Sequence, residues 1–140
     1  MVTITKIVVA YDTSEPAERG FEVGLDLAQK YSAELVALSV VRPPEPMEMV
    51  ETEAILESGR SFFEEHFVRL REKVESSGVK PRFEVCVGHP AEQIIHFANQ
   101  ENADLIIMGH RGKSLLKRWL LGSISKRVLS YAHCSVLIVR

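Results

Sequence analysis

The sequence lacks the motifs that mark the common nucleotide enzymes and metal proteins. It contains no GxxxxGK[ST] run, which excludes a P-loop NTPase, and no GxGxxG after the first predicted strand, which argues against a dinucleotide site. The cysteines form no CxxC pair and the histidines no HxxxH or Cys/His cluster, so we expect no metal centre built from them. Nothing in the order of serines, cysteines and histidines marks nucleophilic catalysis.

Long apolar runs and an excess of charge of one sign are also missing. No apolar run approaches the roughly 20 residues of a membrane span, and a net charge of -2 argues against bulk attraction to nucleic acid. The first residues lack the apolar core of a signal peptide, and two separated cysteines fit reduced core thiols. We therefore expect a cytoplasmic protein without a membrane or nucleic-acid partner.

The sequence does contain a regular alternation of strand and helix patterns. Short runs of strand-forming residues predict strands at 4–10, 35–41, 82–87, 104–108 and 135–139. Helices are predicted from Ser14 as N-cap, over about 50–76, after Gly88-His89-Pro90, and from Ile124. This alternation over 140 residues predicts one domain, 1–140, of the α/β class. The expected architecture is an open, doubly wound, five-stranded parallel sheet with helices on both faces.

Two of these segments carry more detailed expectations. In the run 82–87, Phe83, Val85 and Val87 alternate with Arg82, Glu84 and Cys86, which predicts a half-exposed edge strand. The long second helix is amphipathic, with its other face rich in charge. Its predicted inward residues are Ile55, Gly59, Phe62, Phe63, Phe67, Leu70 and Val74.

A glycine-punctuated loop follows the fourth predicted strand. Gly109-His110-Arg111-Gly112 comes directly after the strand, and Gly122-Ser123-Ile124-Ser125 opens the last helix. Glycine lets backbone N–H groups approach an anion closely, and a helix start adds unpaired N–H groups and partial positive charge. The pattern therefore indicates a phosphate site. The alternatives are that the glycines only serve a turn and that Ser123 only caps the helix.

The acidic residue after the first strand points to the same edge of the sheet. In open parallel sheets, ligands lie beyond the carboxyl ends of the strands, where the strand order reverses. Asp12 follows the first strand and Gly109 the fourth, so they flank one crevice if these strands are neighbours. Asp12 could instead be a turn acid or helix cap. Cations around the loop either face solvent or neutralise phosphate, namely Arg111, Lys113, Lys117, Arg118 and Lys126.

Taken together, these residues resemble the ATP-binding branch of the universal stress protein family. The G-x2-G-x9-G-[ST] pattern is met by Gly109, Gly112, Gly122 and Ser123. The acid in Tyr11-Asp12-Thr13-Ser14, the pair Gly88-x-Pro90 and the short last strand agree with it. The resemblance implies a strand order of 3-2-1-4-5, as in adenine nucleotide α-hydrolase-like folds. It also implies a homodimer through the last strand, Ser135 to Val139.

The resemblance further implies a nucleotide site. The backbone of Val40 would meet adenine, Asp12 would bind the ribose, and Met108 and Gly109 would line the sugar. Gly112, Gly122, Ser123 and Ser125 would hold the phosphates, and Thr13 and Ile124 complete the set. The cofactors would be ATP and Mg²⁺, with Mg²⁺ bound through the phosphates, and no catalytic residue is implied.

Three functions are compatible with the sequence. The first is a nucleotide-dependent regulatory dimer that acts in a stress response. The second is an enzyme, either a slow ATPase or a relative of the nucleotide α-hydrolases, and the third is an interaction module that does not use the nucleotide. No general base is evident for attack on the γ-phosphate, so binding is favoured over turnover. The segment Leu115, Leu116, Trp119, Leu120 and Leu121 fits a short helix for packing or for a lid.

Overall fold

The computed structural model describes residues 3–45, 49–110 and 121–140. Strands and helices alternate along the chain as the sequence predicts. The element bounds are β1 Lys6–Ala10, α1 Glu15–Tyr31, β2 Glu34–Val41, α2 Met49–Val74, β3 Arg82–Val87, α3 Pro90–Gln100, β4 Leu105–Gly109, α4 Ser123–Tyr131 and β5 Ser135–Val139. A short 3-10 turn, Glu75–Ser77, extends α2, and Gly78 ends it in the left-handed conformation.

The strands form one parallel sheet in the order β3-β2-β1-β4-β5. The predicted order and fold class are therefore confirmed. β1 lies between β2 and β4, with Val8 opposite Val36 on one side and Ile106 on the other. β3 is an edge strand and all its residues are partly exposed, as its alternating pattern predicts.

Among the described residues, two helices cover each face of the sheet. Alternate residues of a strand point to opposite faces, so β1 sends Ile7 and Val9 to one core and Val8 to the other. Helices α1 and α2 cover the first face, and α3 and α4 cover the second. The central strands are apolar on both sides for this reason.

Close packing of α1 on the sheet depends on a glycine. A Cβ built on Gly24 would lie 2.8 Å from Cγ2 of Val9 and 3.1 Å from Cδ1 of Leu35. No side chain fits between the helix and the strands at this point. Helix α1 buries Ala17, Phe21 and Ala28, whereas Tyr31 is exposed at the end of the helix.

The interior prediction for α2 is only partly correct. Phe67, Leu70 and Val74 are buried, but Ile55 and Phe62 are exposed. The core of this face reaches α2 through its second half, where Phe67 contacts Phe83 with ring centroids 4.9 Å apart. The first half of the helix meets the sheet at Gly59, where an added Cβ would lie 2.7 Å from Cγ1 of Val41.

Asp104, which precedes β4, joins this strand to the start of β1 at the amino-terminal edge of the sheet. Its Oδ2 accepts hydrogen bonds from the N–H of Thr5 at 2.8 Å, the Oγ1 of Thr5 at 2.8 Å and the N–H of Lys6 at 3.0 Å. These bonds, led by the one from the Thr5 backbone, hold the pKa of the Asp104 carboxyl below its ordinary value of 3.8. The carboxylate therefore contributes stability only while it is ionised.

We expect acid to remove this contribution. Because the folded pKa is depressed, the contribution is complete above the ordinary pKa and is lost as the pH falls through the folded value. The variant Asp104→Asn should be less stable at pH 7 and should lose less stability between pH 5 and 2 than the wild type. Urea unfolding across this range measures both quantities. The control Asp26→Asn removes an exposed carboxylate of α1, and a pH profile of Asp104→Asn that matches the wild type would contradict the account.

Candidate functional site

A crevice opens at the carboxyl ends of β1, β2 and β4, where the strand order reverses beside β1. Its floor and walls are mostly apolar, and α2, α3 and α4 each contribute to them. The lining residues are Ala10, Tyr11, Asp12, Ser14, Leu38, Val40, Phe63, Pro90, Ile94, Met108, Gly109, Ile124 and Ser125. The structure thus brings together Asp12, Val40, Met108, Gly109, Ile124 and Ser125 from the predicted site.

The remaining predicted residues lie elsewhere. Thr13 and Gly122 are next to the crevice without lining it, and Ser123 lines a neighbouring groove. Gly112 lies outside the described residues, and so do the predicted cations Arg111, Lys113, Lys117 and Arg118 and the apolar Leu115, Leu116, Trp119 and Leu120.

Asp12 shapes the turn between β1 and α1. Its Oδ1 accepts hydrogen bonds from the N–H of Ser14 at 3.0 Å and from its Oγ at 2.5 Å. Ser14 Oγ in turn accepts from the N–H of Ala17 at 3.2 Å, so Ser14 is the N-cap of α1, as predicted. The turn occupies only one carboxylate oxygen. The Oδ2 of Asp12 has no hydrogen bond to any described residue and remains available at the edge of the crevice.

Thr13 reverses the chain in a conformation that a β-branched residue rarely adopts. Its φ is 71°, in the left-handed region, where contact between Cβ and the following carbonyl costs about 1–2 kcal/mol. The surrounding hydrogen bonds of Asp12 and Ser14 hold it there. The turn that presents Asp12 is therefore maintained against local strain.

The backbone of β2 continues past the end of β1. The last hydrogen bond between them joins the N–H of Tyr11 to the carbonyl oxygen of Leu38 at 2.8 Å. The next ladder acceptor, the carbonyl oxygen of Tyr11, instead accepts from the hydroxyl of buried Ser39 at 2.6 Å. Because backbone groups alternate sides along a strand, the N–H and C=O of Val40 face the same way as those of Leu38. They consequently face the crevice, where β1 has ended.

Gly109 is required for packing between a strand and a helix. A Cβ at this position would lie 2.7 Å from Cβ of Pro16 and 3.1 Å from the backbone nitrogen of Ala17. Its φ is outside the positive range, so the alternative of a turn glycine with positive φ is wrong for Gly109. The glycine lets the end of β4 approach the start of α1 closely, which puts Asp12 and β4 on the same crevice.

Helix α4 begins at the opposite side of the crevice. Its N-cap is Gly122, with no side-chain hydrogen bond, and Ser123 is the first helical residue. The alternative that Ser123 only caps the helix is therefore wrong by one position. The first bond within the helix runs from Lys126 N–H to Gly122 C=O at 3.0 Å, which leaves the N–H groups of 123–125 without helical acceptors. The hydroxyl of Ser125 donates to Gly109 C=O at 3.2 Å and ties α4 to β4.

Sequence reasoning missed most of the apolar wall. Phe63 of α2, Pro90 and Ile94 of α3, and Leu38 of β2 all line the crevice. Helical spacing identifies Phe63 and Ile94 as inward residues, but it does not show that their helices meet at the carboxyl ends of the strands. The sequence signal for these two wall residues is that each lies on the inward face of its helix, near the end of the helix that meets the carboxyl ends of the strands.

The ionisable groups of the crevice are few. Burial, followed by its hydrogen bond to Glu18, raises the pKa of Tyr11, which keeps the phenol neutral. Asp12 is the one carboxylate among the lining residues of the described structure. Within the described ranges, no three His, Cys, Asp or Glu side chains are grouped as metal ligands. Nor is any helix in those ranges long and apolar enough to cross a membrane.

We expect the strain at Thr13 to be measurable. Thr13→Gly should raise the free energy of unfolding by about 0.5–1 kcal/mol, because relief of the left-handed strain exceeds the added chain entropy. Thr13→Ala is the matched control, since alanine bears the same Cβ contact and should give no gain. Urea unfolding of the three proteins provides the comparison, and a destabilised Thr13→Gly would show that the turn is unstrained.

Comparison with known proteins identifies the family. The model of the Universal stress protein family matches residues 3–140. A universal stress protein of Methanocaldococcus jannaschii is 35% identical over 142 residues, which cover 96% of this chain and 81% of that protein. The solved structure of UspA from Lactobacillus plantarum has a TM-score of 0.91 and 26% identity, and the match covers 100% of both chains.

Two further solved structures share the fold at lower identity. A universal stress protein in complex with cAMP has a TM-score of 0.68 and 24% identity, covering 99% of this chain and 98% of that one. The universal stress protein of Archaeoglobus fulgidus in complex with dAMP has a TM-score of 0.72 and 20% identity, covering 99% and 100%. On the match to the family model and the similarity to the Methanocaldococcus protein, the chain belongs to the universal stress protein family.

Proposed function

We propose that this chain binds ATP in the crevice and acts as a nucleotide-dependent regulatory homodimer of the cytoplasm in a stress response. The observation that carries the proposal is the open backbone edge at Val40, in the same crevice as the Oδ2 of Asp12, which has no hydrogen bond to any described residue. An apolar slot beside an open strand edge can pack against a flat base and hydrogen-bond to it. A carboxylate at the mouth of the slot can accept hydrogen bonds from the hydroxyls of a sugar. The relatives solved with cAMP and dAMP support an adenine ligand for this fold.

The base is assigned to the slot beside Val40. The N–H of Val40 would donate to adenine N1, and the C=O of Val40 would accept from the adenine amino group. Phe63 and Ile94 supply the apolar surface that the ring would cover. Guanine presents a donor and an acceptor in reversed positions, so it would leave buried polar groups unpaired at about 1–3 kcal/mol each.

The ribose is assigned to the side of Asp12. Its free Oδ2 would accept from the sugar hydroxyls, while Oδ1 stays engaged in the turn. Met108 and Gly109 line the same side of the crevice. Thr13 would contribute by holding the turn that presents Asp12, and it would not contact the ligand.

The phosphates are assigned to the start of α4. Ile124 and Ser125 line the crevice there, and the N–H groups of 123–125 are free of helical acceptors. Gly122 and Gly112 complete this assignment. Mg²⁺, when bound, would neutralise charge on the phosphate oxygens. Since the described residues offer no cluster of metal ligands, the phosphates rather than protein carboxylates would hold the ion.

Regulation is favoured over catalysis by the shortage of acid–base groups. Phosphoryl transfer to water requires an oriented water molecule and charge stabilisation at the γ-phosphate. Among the described lining residues Asp12 is the one carboxylate, and the proposal uses its free oxygen for the ribose. No observation of the site specifically favours the slow ATPase or the interaction module.

The homodimer is assigned to the outer edge of β5. This strand pairs with β4 on one side, and the side chain of Leu137 is exposed. The carbonyl oxygen of Val139 accepts from His110 N–H on the β4 side, so the backbone groups of Val136 and Ile138 face the free edge. An open apolar edge favours pairing, and a two-fold axis would pair it with its own copy.

We expect ATP to bind to the wild type and to weaken on loss of the Asp12 charge. Asp12→Asn keeps an oxygen for the turn but removes the carboxylate, so affinity should fall by about tenfold to a hundredfold. Calorimetric titration with ATP and GTP measures this, with Asp26→Asn as the matched control and GTP expected to bind at least about tenfold more weakly.

The same samples test turnover and the adenine assignment. Phosphate release with Mg²⁺ should stay well below the ~1–1000 s⁻¹ of typical enzymes. Rapid release that disappears in Asp12→Asn would make the chain an ATPase. Equal affinities for ATP and GTP would contradict the assignment of the base to Val40.

We expect the wild type to sediment as a dimer. Leu137→Lys should give monomers, because a two-fold axis at this edge would bring two added charges together. Leu129→Lys is the control, since it adds the same charge at an exposed leucine of α4 outside the strand. A monomeric wild type, or a Leu137→Lys variant that remains dimeric, would refute the β5 interface.

A further inference from the structure

A second cavity lies beside the crevice, on the side of α3 and α4. This α3–α4 groove has a volume of about 490 Å³. Its walls come from the loop after β2, the start of α3 and the first turns of α4. The lining of the groove includes Arg42, His89, Ser123, Ile124, Lys126 and Arg127.

The groove and the crevice meet at one residue. Ile124 lines both, with the crevice on one side of the start of α4 and the groove on the other. A ligand held in the crevice at Ser125 would therefore extend into the groove if it were longer than the crevice. The chemistry of the groove then decides which part of a ligand it accepts.

The lining of the groove is cationic. Arg42, Lys126 and Arg127 line it, together with His89, and none of its described lining residues is a carboxylate. Lys126 has no ion-pair partner in the parts of the chain that the structure describes. The groove is thus positively charged although the whole chain carries a net charge of -2.

A chain of hydrogen bonds holds the two arginines in place. Arg42 Nη2 lies 3.0 Å from Nε2 of His89, and Nδ1 of His89 lies 2.7 Å from Oε2 of Glu92. The other oxygen of Glu92 lies 2.8 Å from Nη2 of Arg127. Because guanidinium has no acceptor, Nε2 of His89 must accept and Nδ1 must donate. Glu92 connects the cations from outside the groove's lining, so the charged side chains of the described lining are all cations.

We propose that the α3–α4 groove binds the terminal phosphates of a nucleoside triphosphate whose base lies in the crevice. Arg42 and Lys126 then select a triphosphate over a monophosphate, while Asp12 and Val40 read the nucleoside. This inference rests on the proposed function, because the base must occupy the crevice for its phosphates to reach Ile124. Charge-assisted hydrogen bonds to phosphate supply the selectivity, and the His89–Glu92 pair positions Arg42 for them.

The test compares ATP with AMP. Affinities of both are measured calorimetrically for the wild type and for the double variant Arg42→Gln/Lys126→Gln. The matched control is Lys30→Gln/Lys80→Gln, which removes the same charge from exposed residues at the other end of the sheet. We expect the double variant to lose about tenfold or more in ATP affinity and less than about twofold in AMP affinity. The control should change neither affinity by more than about twofold.

The remaining outcomes overturn the inference in distinguishable ways. An unchanged ratio of ATP to AMP affinity in the double variant would refute it while leaving the proposed function intact. Failure of the wild type to bind either nucleotide would refute both. Inorganic triphosphate is the third probe, added to AMP-saturated protein. If the double variant weakens its binding while the ATP-to-AMP ratio stays unchanged, the groove serves a separate phosphate ligand and the inference is wrong.

Discussion

The end of the β1–β2 ladder is the feature on which the rest of the site depends. After Tyr11 donates to Leu38, the hydroxyl of Ser39 takes the carbonyl oxygen to which the next ladder N–H would have bonded. The two strands then separate, and β2 continues alone to Val41. One departure of the chain produces the open edge at Val40, the turn that presents Asp12 and the start of α1. The strain at Thr13 shows that this departure is maintained by tertiary contacts and turn hydrogen bonds against the local preference of the chain.

Much of the fold follows from the sequence because local and global signals agree. β-branched runs, helical stripes and the cap at Ser14 each depend on neighbouring residues, and the structure has them where expected. The exposed Ile55 and Phe62 show the limit, since helical spacing does not reveal where the opposing surface ends. The start of α4 shows another, because Gly and Ser are both good N-caps and their order alone does not choose between Gly122 and Ser123.

The candidate site divides in the same way. Asp12 and Gly109 are predictable because the carboxyl ends of parallel strands share an edge of the sheet. Val40 was predicted from the family resemblance alone. Its backbone is open because β1 ends before β2 does, and this can be known only from the register of the two strands. The cationic groove also depends on three-dimensional contacts. Arg42, His89 and Arg127 are far apart in sequence, and Glu92 joins them only after β3, α3 and α4 have packed.

Pairing of an adenine base with the backbone of Val40 can be observed by nitrogen-15 NMR of the amide groups. Titration of the labelled protein with ATP should move the Val40 amide signal downfield, as expected for a new hydrogen bond to the adenine ring. The amide of Val36, in the same strand but paired on both sides, should remain in place. We expect the same shift at Val40 with AMP and no shift with GTP. Binding of ATP that leaves the Val40 amide signal unchanged would show that the base does not pair with this strand.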